Sequence, residues 1–259
     1  TRKESSAASD VYKRQVVDVY DLVKPIENFP KIAVSCFAHV TLDRLVNELN
    51  GKVIAKINVA NMEIPIFKAR YKGAEVALFM SYVGAAGCVA IIEEIFAMGA
   101  KKLILFGTCG VLDASIEDCS IIIPNKAVRD EGTSFHYAKA SDEIEVNKKY
   151  INEFVDILKE FDCRYTIGKV WTTDGIYRET RGKVNSRKQS GCICVDMECS
   201  AVAALAEFRE KEVFQFFYAA DNLDNETWDA RSISNESNIL EKDRIAMLAM
   251  ELARKLVEK

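Results

Sequence analysis

The stretch CVDMECSA at 194–201 carries two carboxylates, Asp196 and Glu198, on either side of Met197. A β-favouring run precedes it and an Ala-rich segment follows. On a strand, residues 192, 194, 196 and 198 share one face, so both acids would leave a sheet together unless the strand breaks first. The helix that follows offers N-terminal amides that favour an anion. Asp196 as an N-cap and Glu198 as a first-turn acid is the plainer alternative. It explains one carboxylate well and the second less well, because Met197 and the Ala-rich run direct Glu198 into a buried region. A buried carboxylate needs a partner, and vicinal sugar hydroxyls can donate two O–H groups to it.

Three further segments could do chemistry. In YAADNL (218–223), Asp221 ends a strongly apolar strand beneath a long polar stretch, which suits a general acid under a lid; a turn or cap role competes. GTCG (107–110) follows the apolar run KKLILF, and its glycines let backbone N–H groups face a ligand beside the Thr108 hydroxyl. A tight turn reads equally well. In VRDEGTSFHY (128–137), Arg129, Asp130, Glu131, His136 and Tyr137 crowd around one glycine, either as a site or as a solvated loop with local pairing. No G-x-G-x-x-G or Walker pattern is present, which argues against a dinucleotide or nucleoside-triphosphate fold. With two histidines, His39 and His136, and no C-x-x-C pair, no metal site is expected.

The elements that must hold these residues alternate in type. KIAVSCF, KVIAKINV, AEVALFMSYV, KKLILFG, CSIIIP, YTIGKVW, GCICVDM and VFQFFYAAD read as strands, several continuously apolar as strands covered on both faces would be. Helical stripes lie at Ile91, Ile92, Ile95 and Phe96, capped by Gly99; at Ile151, Phe154, Val155 and Leu158; at Ala201, Leu205 and Phe208; and from Ile245 to Leu256. The pattern predicts a single α/β domain over 16–259 with a mixed sheet and helices on both faces. Residues 1–15, polar and aperiodic, read as a disordered or non-native tail. A composition of 49% hydrophobic and 29% charged residues with a net charge of −4 is that of a soluble protein without a basic field. Nucleic acid and membranes are therefore not expected partners, and the cytoplasm is the expected compartment. The eight cysteines read as reduced thiols, mostly buried.

Taken in order, MSYVGAAGCVAIIEEI, LILFGTCGVLD, VRDEGTSFHY, WTTDGIYRET, VDMECSAVAAL and AADNL resemble the nucleoside phosphorylase superfamily, in particular its uridine phosphorylase-like branch, from about residue 31 onward. The resemblance implies a twisted, barrel-like mixed sheet flanked by helices, assembled as a homodimer or homohexamer. The implied reaction is cleavage of the N-glycosidic bond of a nucleoside, uridine or a purine nucleoside, to free base and ribose 1-phosphate. Inorganic phosphate would be the co-substrate, with no cofactor and no metal. By this likeness Glu198 binds the ribose 2′ and 3′ hydroxyls, Met197 packs on the sugar and Asp196 lies beside them. Thr108 and Gly107 belong to the G-T-x-G turn near sugar and phosphate, and Asp221 protonates a departing purine at N7. Tyr177, Arg178 and Arg181 fall in the base-binding segment, and Arg129 and His136 in the R-x-(D/E)-G-x-S-x-H loop. The chain departs from the family at phosphate: SCFAH replaces G-D-P-x-R and puts His39 near its arginine, while Leu105 and Met62 stand at two other arginine positions. His39 is thus expected as a weak phosphate ligand or as the base that activates water. Hydrolysis is the alternative this opens, and a non-catalytic nucleoside or nucleotide binder is a third.

Overall fold

The computed structural model describes residues 15–234 and 237–257, so the tail expected over 1–15 lies, but for Gln15, outside the described residues. Continuous apolar runs become strands buried on both faces. Strand β1 (Ile32–Cys36) is buried throughout. The second and third strands, β2 (Lys52–Val59) and β3 (Met62–Tyr71), form an antiparallel hairpin. Strand β4 (Ala74–Met80) joins that hairpin to β1, antiparallel to β3 and parallel to β1. On its other edge β1 runs parallel to β5 (Lys102–Val111). The remaining strands are β6 (Ile121–Asp130), β7 (Glu143–Glu145), β8 (Tyr165–Thr173), β9 (Cys192–Asp196) and β10 (Glu212–Asn222). Strands β5, β10, β6, β8 and β9 pair successively, and β9 returns to β5, so five strands close a ring while β1, β4, β3 and β2 extend from it. This is the barrel-like mixed sheet that the resemblance implied.

Among the described residues the helices are α1 (Val19–Leu22), α2 (His39–Glu48), α3 (Ala85–Met98), α4 (Ser134–Tyr137), α5 (Ile151–Glu160), α6 (Arg181–Gln189), α7 (Cys199–Phe208) and α8 (Ile239–Val257). The buried stripes of α2, α5 and α8 share one apolar core with Ile104 and Phe106 of β5. Those of α3 and α7 share a second core with Leu103 and Leu105, the alternate residues of the same strand. Helix α3 ends where expected, at Gly99, whose φ of +136° suits glycine. Among the described residues no helix is long and apolar enough to cross a membrane. All eight cysteines are free, six of them buried.

Two irregularities of the ring create the site. One edge of β5 is shared: Lys102–Phe106 pair with β1, whereas Gly110 and Val111 pair with β9. Between them, at Gly107 to Cys109, β1 has ended and β9 has not begun, so the sheet splits at the kind of switch point where open α/β folds bind ligands. On the other edge, β10 follows β5 until Ala219 faces Cys109 and Asp221 faces Gly110, a bulge that accommodates Ala220 as an extra residue. The bulge changes the side to which Asp221 points.

Candidate functional site

A cleft of about 150 Å³ opens at this split. Phe37, Thr108, Gly110, Val195, Asp196, Met197, Glu198 and Asp221 border it, with Val83, Ile176, Glu179 and Ile233 at its sides. Strand β9 delivers Asp196, and both of that residue's oxygens are engaged inside the protein. Oδ1 accepts from the Thr172 hydroxyl at 2.8 Å, and Oδ2 accepts the amides of Glu198 at 2.8 Å and Cys199 at 2.6 Å. Asp196 is thus the side chain that satisfies the start of α7. Burial holds its carboxyl up at about 6 despite these three donors.

Glu198 occupies the N-cap position of α7 without capping it. Its side chain turns instead to Gly84, the residue before α3, whose N–H donates to Oε1 at 2.5 Å. Gly84 adopts φ +99°, a conformation that L side chains rarely adopt. Glu198 is 7% exposed, and burial first, then the neighbouring Asp196, push its carboxyl up to about 8. The two acids of the CVDMECSA stretch therefore have different tasks. Asp196 organises the backbone, and Glu198 presents a buried carboxylate to the cleft.

The same cleft is lined by Asp221. Its Oδ2 accepts from the Trp228 indole N–H at 2.8 Å, and burial raises its pKa, with Trp228 and Arg231 opposing. Trp228 is brought over it by a small closed loop in which Asn222 and Asp229 exchange backbone hydrogen bonds of 2.8 and 3.1 Å. Gly110 makes room: a Cβ there would lie 2.3 Å from Leu223 Cδ1 and 3.1 Å from Asp221 Oδ1. A third acid, Glu179, lines the cleft as well, and burial followed by the Asp221 charge raises it to about 7. Sequence reasoning missed Glu179, because between Arg178 and Arg181 it looks like one member of a surface ion-pair run. It missed Trp228 as well, which sits inside a polar stretch. Arg181 is spent on the loop over the cleft, donating to the carbonyls of Leu223 at 2.7 Å and Asn225 at 2.6 Å.

A second cavity, of about 360 Å³, adjoins the first and shares Phe37 and Val83 with it. His39, Met62, Ile64, Met80, Ser81 and Tyr82 complete its lining. His39, the first residue of α2, faces this neighbouring cavity. Leu105 is 2% exposed within the core beside α3 and faces neither space. Among the described residues, no lysine or arginine lines either cavity.

The structure thus brings Thr108, Asp196, Met197, Glu198 and Asp221 together, with His39 next door. It does not bring the remaining candidates to the cleft. Gly107 packs under Phe37, since a Cβ there would lie 2.6 Å from that ring. Tyr177, 95% exposed, and Arg178 lie on a single 3₁₀ turn outside the lining. His136 is exposed on α4. Arg129 is buried, donating to Ser134 Oγ at 2.8 Å, to the Lys139 carbonyl at 2.6 Å and to Ser141 Oγ at 2.9 Å. Residues 128–130 of the expected loop lie on β6, and the charge density of the 128–137 segment is used largely in internal pairing, as Asp130 also shows with Trp171, Lys183 and Arg187.

Among known proteins, the family model of the phosphorylase superfamily matches residues 31–258. Guanosine phosphorylase of Halorubrum lacusprofundi is 25% identical over 146 residues, which cover 56% of this chain and 61% of that protein. The match therefore spans less than two thirds of this curated relative's length. The uridine phosphorylase structure from Vibrio fischeri superposes with a TM-score of 0.74 at 21% identity, covering 90% of this chain and 95% of that one. The AMP nucleosidase structure from Bacteroides thetaiotaomicron gives 0.72 at 17% identity, covering 89% and 90%. At these identities the two structures speak for the fold alone.

Proposed function

The chain belongs to the phosphorylase superfamily, and from that premise we propose that it cleaves the N-glycosidic bond of a nucleoside, with a purine as the base that the site fits best. The observation that carries the reading is one cleft lined by two buried acids, Glu198 and Asp221. Glu198 accepts the sugar's 2′ and 3′ hydroxyls, which takes the place of the water it has lost. As the bond between C1′ and the base nitrogen breaks, its electron pair leaves with the base and positive charge grows on the sugar. Before substrate binds, burial holds the Glu198 carboxyl at about 8. Two sugar O–H donors and the positive charge growing on the sugar both favour its ionised form, and the carboxylate so formed stabilises that charge in a site largely withdrawn from water. Asp221, its pKa raised by burial, gives its proton to the departing base. A purine offers N7 as the acceptor for such an acid. The guanosine phosphorylase relative supports the purine assignment.

The sugar cation is then captured by phosphate, giving ribose 1-phosphate, or by water, giving ribose. Hydrolysis is favoured by a specific observation: a phosphate dianion fits poorly in a cleft whose lining, among the described residues, offers no guanidinium or ammonium group. His39 is then the base that takes the water's proton. The test is base release from a panel of purine and pyrimidine nucleosides in phosphate-free buffer and across a phosphate titration, with the sugar product identified. Purine release that depends little on phosphate supports the reading. Strict dependence at low phosphate, yielding ribose 1-phosphate, would replace hydrolysis by phosphorolysis. Release confined to uridine would remove the purine assignment.

A further inference from the structure

Glu131, in the loop after β6, is 5% exposed and lies outside the cleft lining. Its Oε1 accepts from the Ser200 hydroxyl at 2.8 Å and its Oε2 from the Ser134 amide at 2.9 Å. The Ser200 amide donates to Thr172 Oγ1 at 3.1 Å, and that hydroxyl donates onward to Asp196 Oδ1 at 2.8 Å. Asp196 in turn fixes the amides of Glu198 and Cys199. Ser200, Thr172 and Ser134 are fully buried. A hydroxyl has one proton, so the direction of each bond is set: Ser200 gives its proton to Glu131, and Thr172 gives its proton to Asp196. Arg129 donates to Ser134 Oγ and has an electrostatic interaction with Glu131.

We propose that Glu131 is a positioning residue for the sugar contact, acting on Glu198 through Ser200, Thr172 and Asp196. The inference rests on the reading of Glu198 as the sugar-hydroxyl ligand. A chain of buried, fully donated hydrogen bonds from one loop to the turn that carries the carboxylate has a single low-energy arrangement. Loss of a link leaves a buried donor without an acceptor and frees the first turn of α7 to shift. Errors of that size in a positioned group are costly to catalysis.

The test compares Glu131→Gln, Thr172→Val and Thr172→Ser on guanosine or inosine, whichever turns over faster, and on its 2′,3′-dideoxy counterpart, with each variant's thermal unfolding recorded first. Glu131→Gln and Thr172→Val should lower kcat/KM on the ribonucleoside by about ten-fold, the effect of one charge-assisted hydrogen bond. Both should lower the slow rate on the dideoxy substrate much less, because the hydroxyl contacts are absent there and only the charge contact of Glu198 remains, and Thr172→Ser should restore most of the loss. In a Glu198→Gln background, Glu131→Gln should cost nothing further. Equal losses on both substrates, or an additive loss in the double variant, would overturn the proposal and leave Glu131 a folding residue. If Glu198→Gln alone changes nothing, the sugar-ligand reading fails first and separately, and this inference falls with it. Should Glu131→Gln not fold, the Thr172 pair decides the matter by the same comparison.

Discussion

Replacing Glu198 with glutamine should make the protein less active and, in alkaline solution, more stable. The carboxyl sits at about 8 in the folded chain against an ordinary 4.5, because burial and then Asp196 disfavour its charge more than the Gly84 amide favours it. A raised acid contributes stability that is fully present below the unfolded value and is lost as pH rises through the folded one. The interval from 4.5 to about 8, at about 1.4 kcal/mol for each tenfold, corresponds to about 5 kcal/mol, an upper figure because water reaches a relaxing site. Glutamine has the same shape and keeps an acceptor for the Gly84 N–H, but it cannot ionise. Urea unfolding of both proteins should give similar stabilities at pH 5 and an advantage of several kcal/mol for Glu198→Gln at pH 9. Turnover should fall about 100-fold, the loss of about 3 kcal/mol of transition-state stabilisation. A stability difference that is the same at pH 5 and pH 9 would refute the claim that Glu198 is a buried, charge-strained group. Near-normal turnover would refute its role at the sugar.

Asp221→Asn should impair purine nucleosides far more than substrates with an activated leaving group, which need no proton; equal losses would assign Asp221 to structure. Trp228→Phe removes the donor that favours the ionised Asp221, so the alkaline limb of the kcat profile should move to higher pH, and an unmoved limb would detach Asp221 from proton donation. Gly110→Ala puts a methyl 2.3 Å from Leu223 Cδ1 and 3.1 Å from the Asp221 carboxylate. It should cost about 1–3 kcal/mol in thermal unfolding and displace the acid, with activity falling on purines first.

The fold was legible wherever apolar periodicity was strong. Strands β1, β5 and β10 and helices α3, α5, α7 and α8 lie on runs whose pattern admits little else. Strand β3 was not, because Pro65 and its charged residues break the alternation that Ile64 and Ile66 obey in the hairpin. Helix α2 was hidden in the same way: it begins at His39, directly after β1, with no side-chain cap to announce it. In the site, Asp196, Glu198 and Asp221 could be picked out because acids at the ends of apolar strands conflict with local burial. The division of labour between Asp196 and Glu198 could not, since it depends on Gly84 and Thr172, which are distant in sequence. Glu179 enters only through the closing of the ring. The segment at 128–137, which reads as a loop but begins on β6, shows the converse: a dense set of charged residues whose Arg129 and Glu131 make buried internal hydrogen bonds and lie outside the cleft lining.

On the proposed reading, one cleft takes the sugar at Glu198 and the base at Asp221. A crystal structure with a purine C-nucleoside, whose base and sugar are joined by a carbon–carbon bond that cannot be cleaved this way, tests that division directly. The predicted result is both ribose hydroxyls within hydrogen-bond distance of the Glu198 carboxylate and the N7 edge of the base beside Asp221. A nucleoside bound in the opposite sense, or seated away from Glu198 altogether, would contradict it.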